Sequence, residues 1–496
     1  MENKEETNYR NIFKALSLFG GVQIIVILFG ILRTKIIALT VGPVGVGSIG
    51  LYLTAITLFF SVFNLGIGAS AVKLLSENYF SDNKMQFTKS IFVLNRLTLI
   101  TAIIGFVFML SFAPFLSKWS FGNQEHTWSF VFLSTIILFE SYNSRNLAIL
   151  QGLRELKILG KVSIYGSVFG TVISIPLYIL FRIDAIIPSI IIIYLSNFLL
   201  SYVYTKKLHL NTDSFTYSET KTFFKGYVTL GIAMTISSIL VYVVSYFVKL
   251  YLSDKGGLKV VGLYQAGWAI VTGYVGLIFT AMSKDYYPRL ASVNSDNLQV
   301  SKIANQQIEI GLLIISPIIM IFLLFVNQIV IILYSSEFLL IKNMMIWSLI
   351  GMFFKLLSWS ISYIFLAKGL SKYFVIYEIL GNVFTLIVSI LGYKYFGLEG
   401  LGLGFLATNI FYLILVYYFS TSIFDFKFSN ESIRFFVLNL FICILAVLFI
   451  RIDFFIVDCV KYCLLFVGLM IVFFNSIINL DKRLGIYKLI KSIFFK

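Results

Sequence analysis

Long runs without charge are the feature that most constrains this chain. Apolar stretches of 18 or more residues recur from end to end, and each is long enough to cross a bilayer as a helix. We count fourteen apolar segments, all but the thirteenth of that length, near 12–39, 46–74, 88–114, 128–150, 159–181, 184–204, 226–252, 259–283, 303–334, 344–367, 372–393, 399–420, 435–450 and 455–479. The longest connection, about 205–225, is too short to hold a soluble catalytic domain. Only 12% of the residues are charged, against about 25% in soluble domains. The expectation is an all-α polytopic membrane protein of about 14 transmembrane helices. The start, "MENKEETNYRNIFK", is polar and has no small-residue cleavage site. The first apolar run is too long for a signal peptide, so it reads as a retained first helix.

The net charge of +16 suggests nucleic acid until its distribution is read. With the N-terminus inside, the cytoplasmic segments hold 26 Lys and Arg and the outer loops hold 9. That asymmetry places both ends in the cytoplasm. No Lys/Arg-rich tail with interleaved aromatics is present, so nucleic-acid binding is not expected. The three cysteines, Cys443, Cys459 and Cys463, lie in apolar C-terminal segments with no metal-site spacing, and read as small buried hydrophobes. His126 and His209 fall in loops, which excludes a histidine proton relay within the membrane. No cofactor or metal is expected.

An internal repeat organises the chain. A shift of 215 residues places "KILGKVSIYGSVFGTVISIPLYILF" (157–181) on "KYFVIYEILGNVFTLIVSILGYKYF" (372–396). Lys157 meets Lys372, Gly166 meets Gly381, Ser174 meets Ser389 and Tyr178 meets Tyr393. The fifth and eleventh segments read as copies. An even number of helices between them preserves orientation, so two six-helix lobes should be related by a pseudo-two-fold axis along the membrane normal. We expect an N-lobe over 1–205, a cytoplasmic linker over 206–225, a C-lobe over 226–420, and two further helices with a tail over 421–496. Parallel repeats of this kind are a transporter architecture, with the binding site between the halves.

Charges inside the apolar segments mark candidate sites. Lys355 is the only charge in "MMIWSLIGMFFKLLSWSISYIFLA" (344–367) and lies within roughly 1 Å of its midpoint along the axis. Its side chain cannot reach either interface, and inserting it costs on the order of 3 kcal/mol. It must face protein, water or an anion; the alternative is a purely structural buried ion pair. Glu140 is equally central in the fourth segment, and Glu378 lies in the inner half of the eleventh. A carboxyl in such a place suits ion coupling, unless neighbours such as Asn143 and Ser144 simply hold it. The same 215-residue shift carries Glu140 onto Lys355, which suggests that the two attract one another when the site is empty. Arg33 and Lys35 lie in the outer half of the first segment, two residues apart and on roughly opposite faces, so at most one lines a cavity. Arg96, near the inner third of the third segment, suits a cavity or a snorkelling position. Lys249 falls at the outer edge of the seventh segment and reads as interfacial. Of the aromatics, which make up 17% of the chain, some can stack on sugars, but most serve packing or interfacial belts.

Four stretches carry a family resemblance: "RTKIIALTVGPVGVGSIGLY" (33–52), "NLAILQGLRELK" (146–157), "VGLYQAGWAI" (261–270) with "DYYPRLASV" (285–293), and "LIGMFFKLLSWSISYIFLAKGLSKYFVIYE" (349–378). In this order and spacing the chain resembles the Wzx-type flippases of lipid-linked O-antigen and related repeat units. That family belongs to the superfamily of MATE exporters and lipid II flippases. The likeness covers about residues 10–420. It implies transport, not catalysis, of a polyprenyl-pyrophosphate-linked oligosaccharide across the bilayer, alongside other glycan-assembly membrane proteins. It implies a substrate-binding role for Lys355, with Lys35 favoured over Arg33, and with Arg96 and Lys249 as weaker candidates. Some relatives have an acid three positions before the lysine; Met352 stands there in this chain. The segments beyond residue 420 exceed the commonest twelve-helix count.

Other readings fit less well. A MATE-like cation exporter wants an acid-rich cavity, whereas Arg33, Lys35, Arg96 and Lys355 are basic. A membrane glycan polymerase or transferase wants an Asp cluster or a large outer loop, and neither is present in the sequence. A scaffold would leave the repeat without a purpose. For the topology, single cysteines in the 118–127 and 253–258 loops should be labelled from outside intact cells. Labelling of the 208–220 loop from outside would overturn it.

Overall fold

The structure is a computed structural model that describes residues 2–80, 84–210, 213–451, 468, 470 and 472–474. The fourteenth apolar segment, with Cys459 and Cys463, lies almost wholly outside the described residues. Among the described residues there is no β-strand. The α-helices are α1 (Glu2–Phe63), α2 (Ile67–Phe80), α3 (Lys84–Phe121), α4 (Thr127–Gly152), α5 (Leu156–Phe181), α6 (Ile186–Lys206), α7 (Tyr217–Trp268), α8 (Leu277–Ser292), α9 (Asn297–Leu324), α10 (Val326–Leu333), α11 (Lys342–Ala367), α12 (Ser371–Phe424) and α13 (Asn430–Arg451). Eight helical stretches among the described residues are long and apolar enough to cross a membrane, and four of these carry two expected segments each. α4, which contains Glu140 and Arg145, is not among the eight. The chain is an all-α polytopic membrane protein.

Three helices carry two apolar segments each and break at a glycine. Gly42 in α1 has φ 62 and ψ −170, Gly257 in α7 has φ 73 and ψ 177, and Gly397 in α12 has φ 60 and ψ −140. Positive φ with extended ψ is open only to glycine, so each break fixes where one segment ends and the next begins.

The breaks also carry the repeat. Gly42 and Gly257 are 215 residues apart, as are Arg154 and Gly369, and Arg182 and Gly397, and all six have positive φ. α4 and α11 are both 26 residues long and start 215 apart, and α5 and α12 start with the same offset. Contacts repeat too. A side chain at Gly166 would strike Asn197, and one at Gly381 would strike Tyr412, the position equivalent to Asn197. Arg154 and Arg182 hold without glycine the positive φ that their copies reach with it, at a cost of roughly 1–3 kcal/mol each.

The chain forms two compact units, Met1–Gly262 with Leu333–Ser335, and Leu263–Ile332 with Ser336–Lys496. The first unit thus runs past the 206–225 connection and takes in most of α7, which the repeat assigns to the second copy. Direct contacts explain this. Tyr227 and Ser90 hydroxyls meet at 2.7 Å, and Tyr246 and Ser120 hydroxyls at 2.9 Å. Gly66 packs on Gly231 backbone to backbone. A Cβ on Gly47 would strike the Leu258 carbonyl oxygen, and one on Gly262 the Pro43 carbonyl oxygen. Those four residues form two equivalent pairs under the 215-residue shift, so this crossing is reciprocal. Small residues suit such crossings because lipid gives helices no hydrophobic drive to associate, and close backbone approach must do so instead. The outward face of α3, with Leu99, Ile100, Ile103, Ile104 and Val107 exposed, is apolar, while its buried face includes Ser90, Thr98, Thr101, Ser117 and Ser120.

In the second unit α11 is the enclosed helix: Phe353, Leu356, Ile361 and Phe365 have no exposed surface. It packs on α8, α9, α12 and α13. Cys443 of α13 is a buried free thiol.

The Gly47 crossing yields a test. Gly47→Val should abolish a monodisperse folded peak in detergent chromatography, because the clash is with backbone and no rotamer relieves it. Gly30→Ala, where nothing lies within 4 Å of the added Cβ, should fold normally and gain about 0.5–1 kcal/mol.

Candidate functional site

The second unit builds its site around Lys355. Between Met352 and Ala367 only Phe354, Lys355, Trp359, Tyr363 and Leu366 keep accessible surface. Lys355 is therefore deep in the protein, on the one face of this stretch that keeps accessible surface. Its Nζ lies over two aromatic faces, Phe279 of α8 and Phe405 of α12, each 5.8 Å from the ring centroid. A desolvated cation over one aromatic face gains up to about 2 kcal/mol. The acid that interacts electrostatically with it is Glu378 of α12. The two do not close a contact ion pair, and no hydrogen bond from the Lys355 ammonium is formed among the described residues. Glu378 is occupied elsewhere. Tyr412 donates to one of its oxygens, and Asn382 donates to its backbone carbonyl at 2.9 Å and to its other carboxylate oxygen at 3.5 Å. Tyr377, one position earlier, donates to the Ser362 carbonyl of α11 at 3.2 Å and ties the two helices together. The ammonium thus has a stabilised charge and unused donors.

The first unit holds the other charges. Asn143 donates to Glu140 at 3.3 Å, across one turn of α4. Tyr194 of α6 interacts electrostatically with both Glu140 and Arg33, and Tyr178 of α5 with Arg33. Arg33 is therefore directed towards the Glu140 neighbourhood. Lys35, on the opposite face of α1, donates to the Tyr334 carbonyl at 2.6 Å. The resemblance favoured Lys35 of this pair; the structure brings Arg33, not Lys35, next to the acid's surroundings.

Two more expectations change. Lys249 is not interfacial but buried, with 5% of its surface exposed, and it donates to the Gly50 carbonyl at 3.3 Å and to the Thr54 hydroxyl. Gly50 has no side chain to shield its carbonyl, so the ammonium finds partners inward rather than at the interface. Arg96 is exposed on the apolar stripe of α3 and lies over Phe92 at 5.4 Å, which is the snorkelling arrangement. A further cation was missed. Arg145 of α4 lies inside the 128–150 segment and is one of the 26 cations that the charge count assigns to the cytoplasmic side. Its Nε donates to Asn95 of α3 at 2.7 Å and its Nη1 to Asn146 at 3.0 Å, and Asn146 donates to Ser201 of α6 at 3.2 Å. The signal lay in the amides: Asn95 and Asn146 inside apolar segments need polar partners.

Comparison with known proteins follows from this geometry. A family model described as "Polysaccharide biosynthesis protein" matches residues 36–343. No curated protein matches the chain. Among solved structures, an inward-facing multidrug resistance MATE family transporter of the MOP superfamily has a TM-score of 0.69 at 14% identity, covering 81% of this chain and 94% of that one. The lipid II flippase MurJ in an inward closed conformation has a TM-score of 0.69 at 16% identity, covering 94% and 99%. A MOP superfamily transporter from Pyrococcus furiosus has a TM-score of 0.62 at 16% identity, covering 83% and 96%. At these identities the likeness is one of fold. With the family model spanning more than half its length, the chain belongs to the polysaccharide biosynthesis protein family and has the fold of MOP superfamily transporters.

Proposed function

We propose that this protein is a flippase that moves a polyprenyl-pyrophosphate-linked oligosaccharide, an O-antigen or capsule repeat unit, from the cytoplasmic to the outer leaflet of the bacterial plasma membrane. The observation that carries the reading is the Lys355 ammonium at mid-helix, flanked by aromatic faces and short of hydrogen-bond acceptors. A pyrophosphate supplies those acceptors, and Lys suits it as a point charge. The tail stays in lipid while the charged linkage passes Lys355, which is exposed alternately to either side. Arg33, beside Tyr178 and Tyr194, is the second cationic candidate. A cation exporter would be expected to present an acid at the centre of α11, where this chain presents an ammonium.

Transport is coupled to an ion, with Glu378 and Glu140 as the coupling acids. The sign at Glu378 follows from charge. An ionised Glu378 competes with the substrate anion for Lys355; a protonated one does not. Proton and substrate therefore favour one another at this site. An exchange of substrate for protons then needs its proton site elsewhere, which makes Glu140 the candidate for that step.

Two experiments test these readings. In proteoliposomes loaded with a lipid-linked glycan, Lys355→Ala should lose transport roughly 10- to 100-fold, the scale of a charge-assisted contact, while Lys355→Arg keeps part of it. Full transport by Lys355→Met would mean a replaceable structural charge and end the reading. For coupling, substrate binding should tighten as pH falls in the wild type relative to Glu378→Gln. Identical pH dependence in the two proteins would remove Glu378 from the mechanism.

A further inference from the structure

The accessible stripe on the inner half of α11 is not a random set of side chains. Lys355, Trp359 and Tyr363 follow one another at intervals of four residues, so they share one face of the helix. The residues between them are buried. α8 extends the stripe from the facing side. Phe279 meets Trp359 edge to face at 5.4 Å, and Tyr287 meets Tyr363 at 6.2 Å. Trp359 and Tyr363 are 4.9 Å apart. Tyr286, fully buried behind them, donates to the Ser360 carbonyl at 2.6 Å and fixes α8 against α11. A continuous row of aromatic rings thus runs from Tyr287, which is 43% exposed at the expected cytoplasmic end, to the Lys355 ammonium. The row continues past Lys355 through Phe405, which meets Trp268 at 5.4 Å. Trp268 lies directly before a π-helical stretch, Ala269–Val275, an irregularity that re-aims side chains and is frequent at functional sites.

We infer that this row is a saccharide track: pyranose rings of the transported glycan stack on Trp359 and Tyr363, with Tyr287 at the mouth, while the linking pyrophosphate engages Lys355. The inference rests on the flippase reading and names how the glycan part is held. Trp359 and Tyr363 keep surface on the helix face that carries the Lys355 ammonium, and Tyr287 continues their row. A pyranose offers a flat apolar C–H face with hydroxyls at its rim. Trp and Tyr offer the complement, a flat apolar face with a polar edge. An isoprenoid chain is the wrong occupant for this stripe, since a charged ammonium borders it. Stacking reads the face of a ring rather than the position of each hydroxyl, so the track tolerates differences in sugar identity.

The test separates glycan from carrier. Binding to the full-length protein in nanodiscs is measured for a polyprenyl-pyrophosphate-linked N-acetylglucosamine disaccharide and for the bare polyprenyl pyrophosphate. Trp359→Leu should weaken glycan-carrier binding about five- to tenfold, the scale of an aromatic contact, and leave bare-carrier binding unchanged. Trp359→Phe, which keeps a ring, should restore most of it, and Tyr363→Leu should repeat the Trp359→Leu result. Equal weakening of both ligands, or of neither, would overturn the track. A wild-type protein that binds neither ligand would overturn the flippase reading itself.

Discussion

An ammonium in hydrocarbon must be compensated by whatever surrounds it, and the second unit is arranged around that need. Lys355 has no route to an interface, and leaving it uncompensated would cost several kcal/mol. The protein does not answer with a contact ion pair. It places two aromatic faces under the charge and keeps the carboxyl of Glu378 within electrostatic reach but hydrogen-bonded to Tyr412 and Asn382. Each of these partners needs its own helix held in place. Tyr377 on Ser362 and Tyr286 on Ser360 do this, anchoring α12 and α8 to the α11 backbone.

Helices in lipid gain little by burying apolar surface, so backbone proximity has to hold them. This is why glycine appears at the crossings and at the breaks. The duplication makes the same point twice, since the positive-φ positions recur at a 215-residue interval. Chemistry diverged where the backbone did not. Glu140 faces the position of Lys355 in the repeat, and Asn197 that of Tyr412. One copy became an acid with a nearby guanidinium; the other became an ammonium with a nearby acid.

Much of this was legible in the sequence because it depends on distance along the chain. Segment length fixes what can span, and a fixed offset fixes which residues are copies. Lys355 stood out for the same reason, being alone in a long apolar run. What was not legible depends on direction and on neighbours far along the chain. Glu378 is 23 residues from Lys355 and meets it only because α12 folds back on α11. The shift that aligned Glu140 with Lys355 identifies copies, not contacts, and so gave no sign of Glu378, the acid that acts on Lys355 within the second unit. Lys249 read as interfacial from its position alone; the bare carbonyl of Gly50, 199 residues away, turned it inward. Arg145 lies inside the 128–150 segment near its cytoplasmic end, where position along the chain does not tell a buried guanidinium from one at the interface. Arg33 and Lys35 could be put on opposite faces, but which face was occupied required the tyrosines of α5 and α6.

On the flippase reading proposed above, the partial compensation of Lys355 is what turnover requires. A tight buried pair with Glu378 would have to be broken by every substrate, and breaking such a pair costs roughly 3–5 kcal/mol. A bare ammonium would bind the first pyrophosphate and hold it. Aromatic faces avoid both extremes. They stabilise the cation through their quadrupoles without occupying its N–H donors, so a substrate oxygen adds hydrogen bonds without displacing any. Glu378, held back by Tyr412 and Asn382, then adjusts the field felt by the ammonium without closing on it. The polar contacts around Glu378 are therefore as much a part of the site as the charge they restrain, and a substitution at Tyr412 should change how tightly substrate is held at Lys355 although Tyr412 touches only the acid.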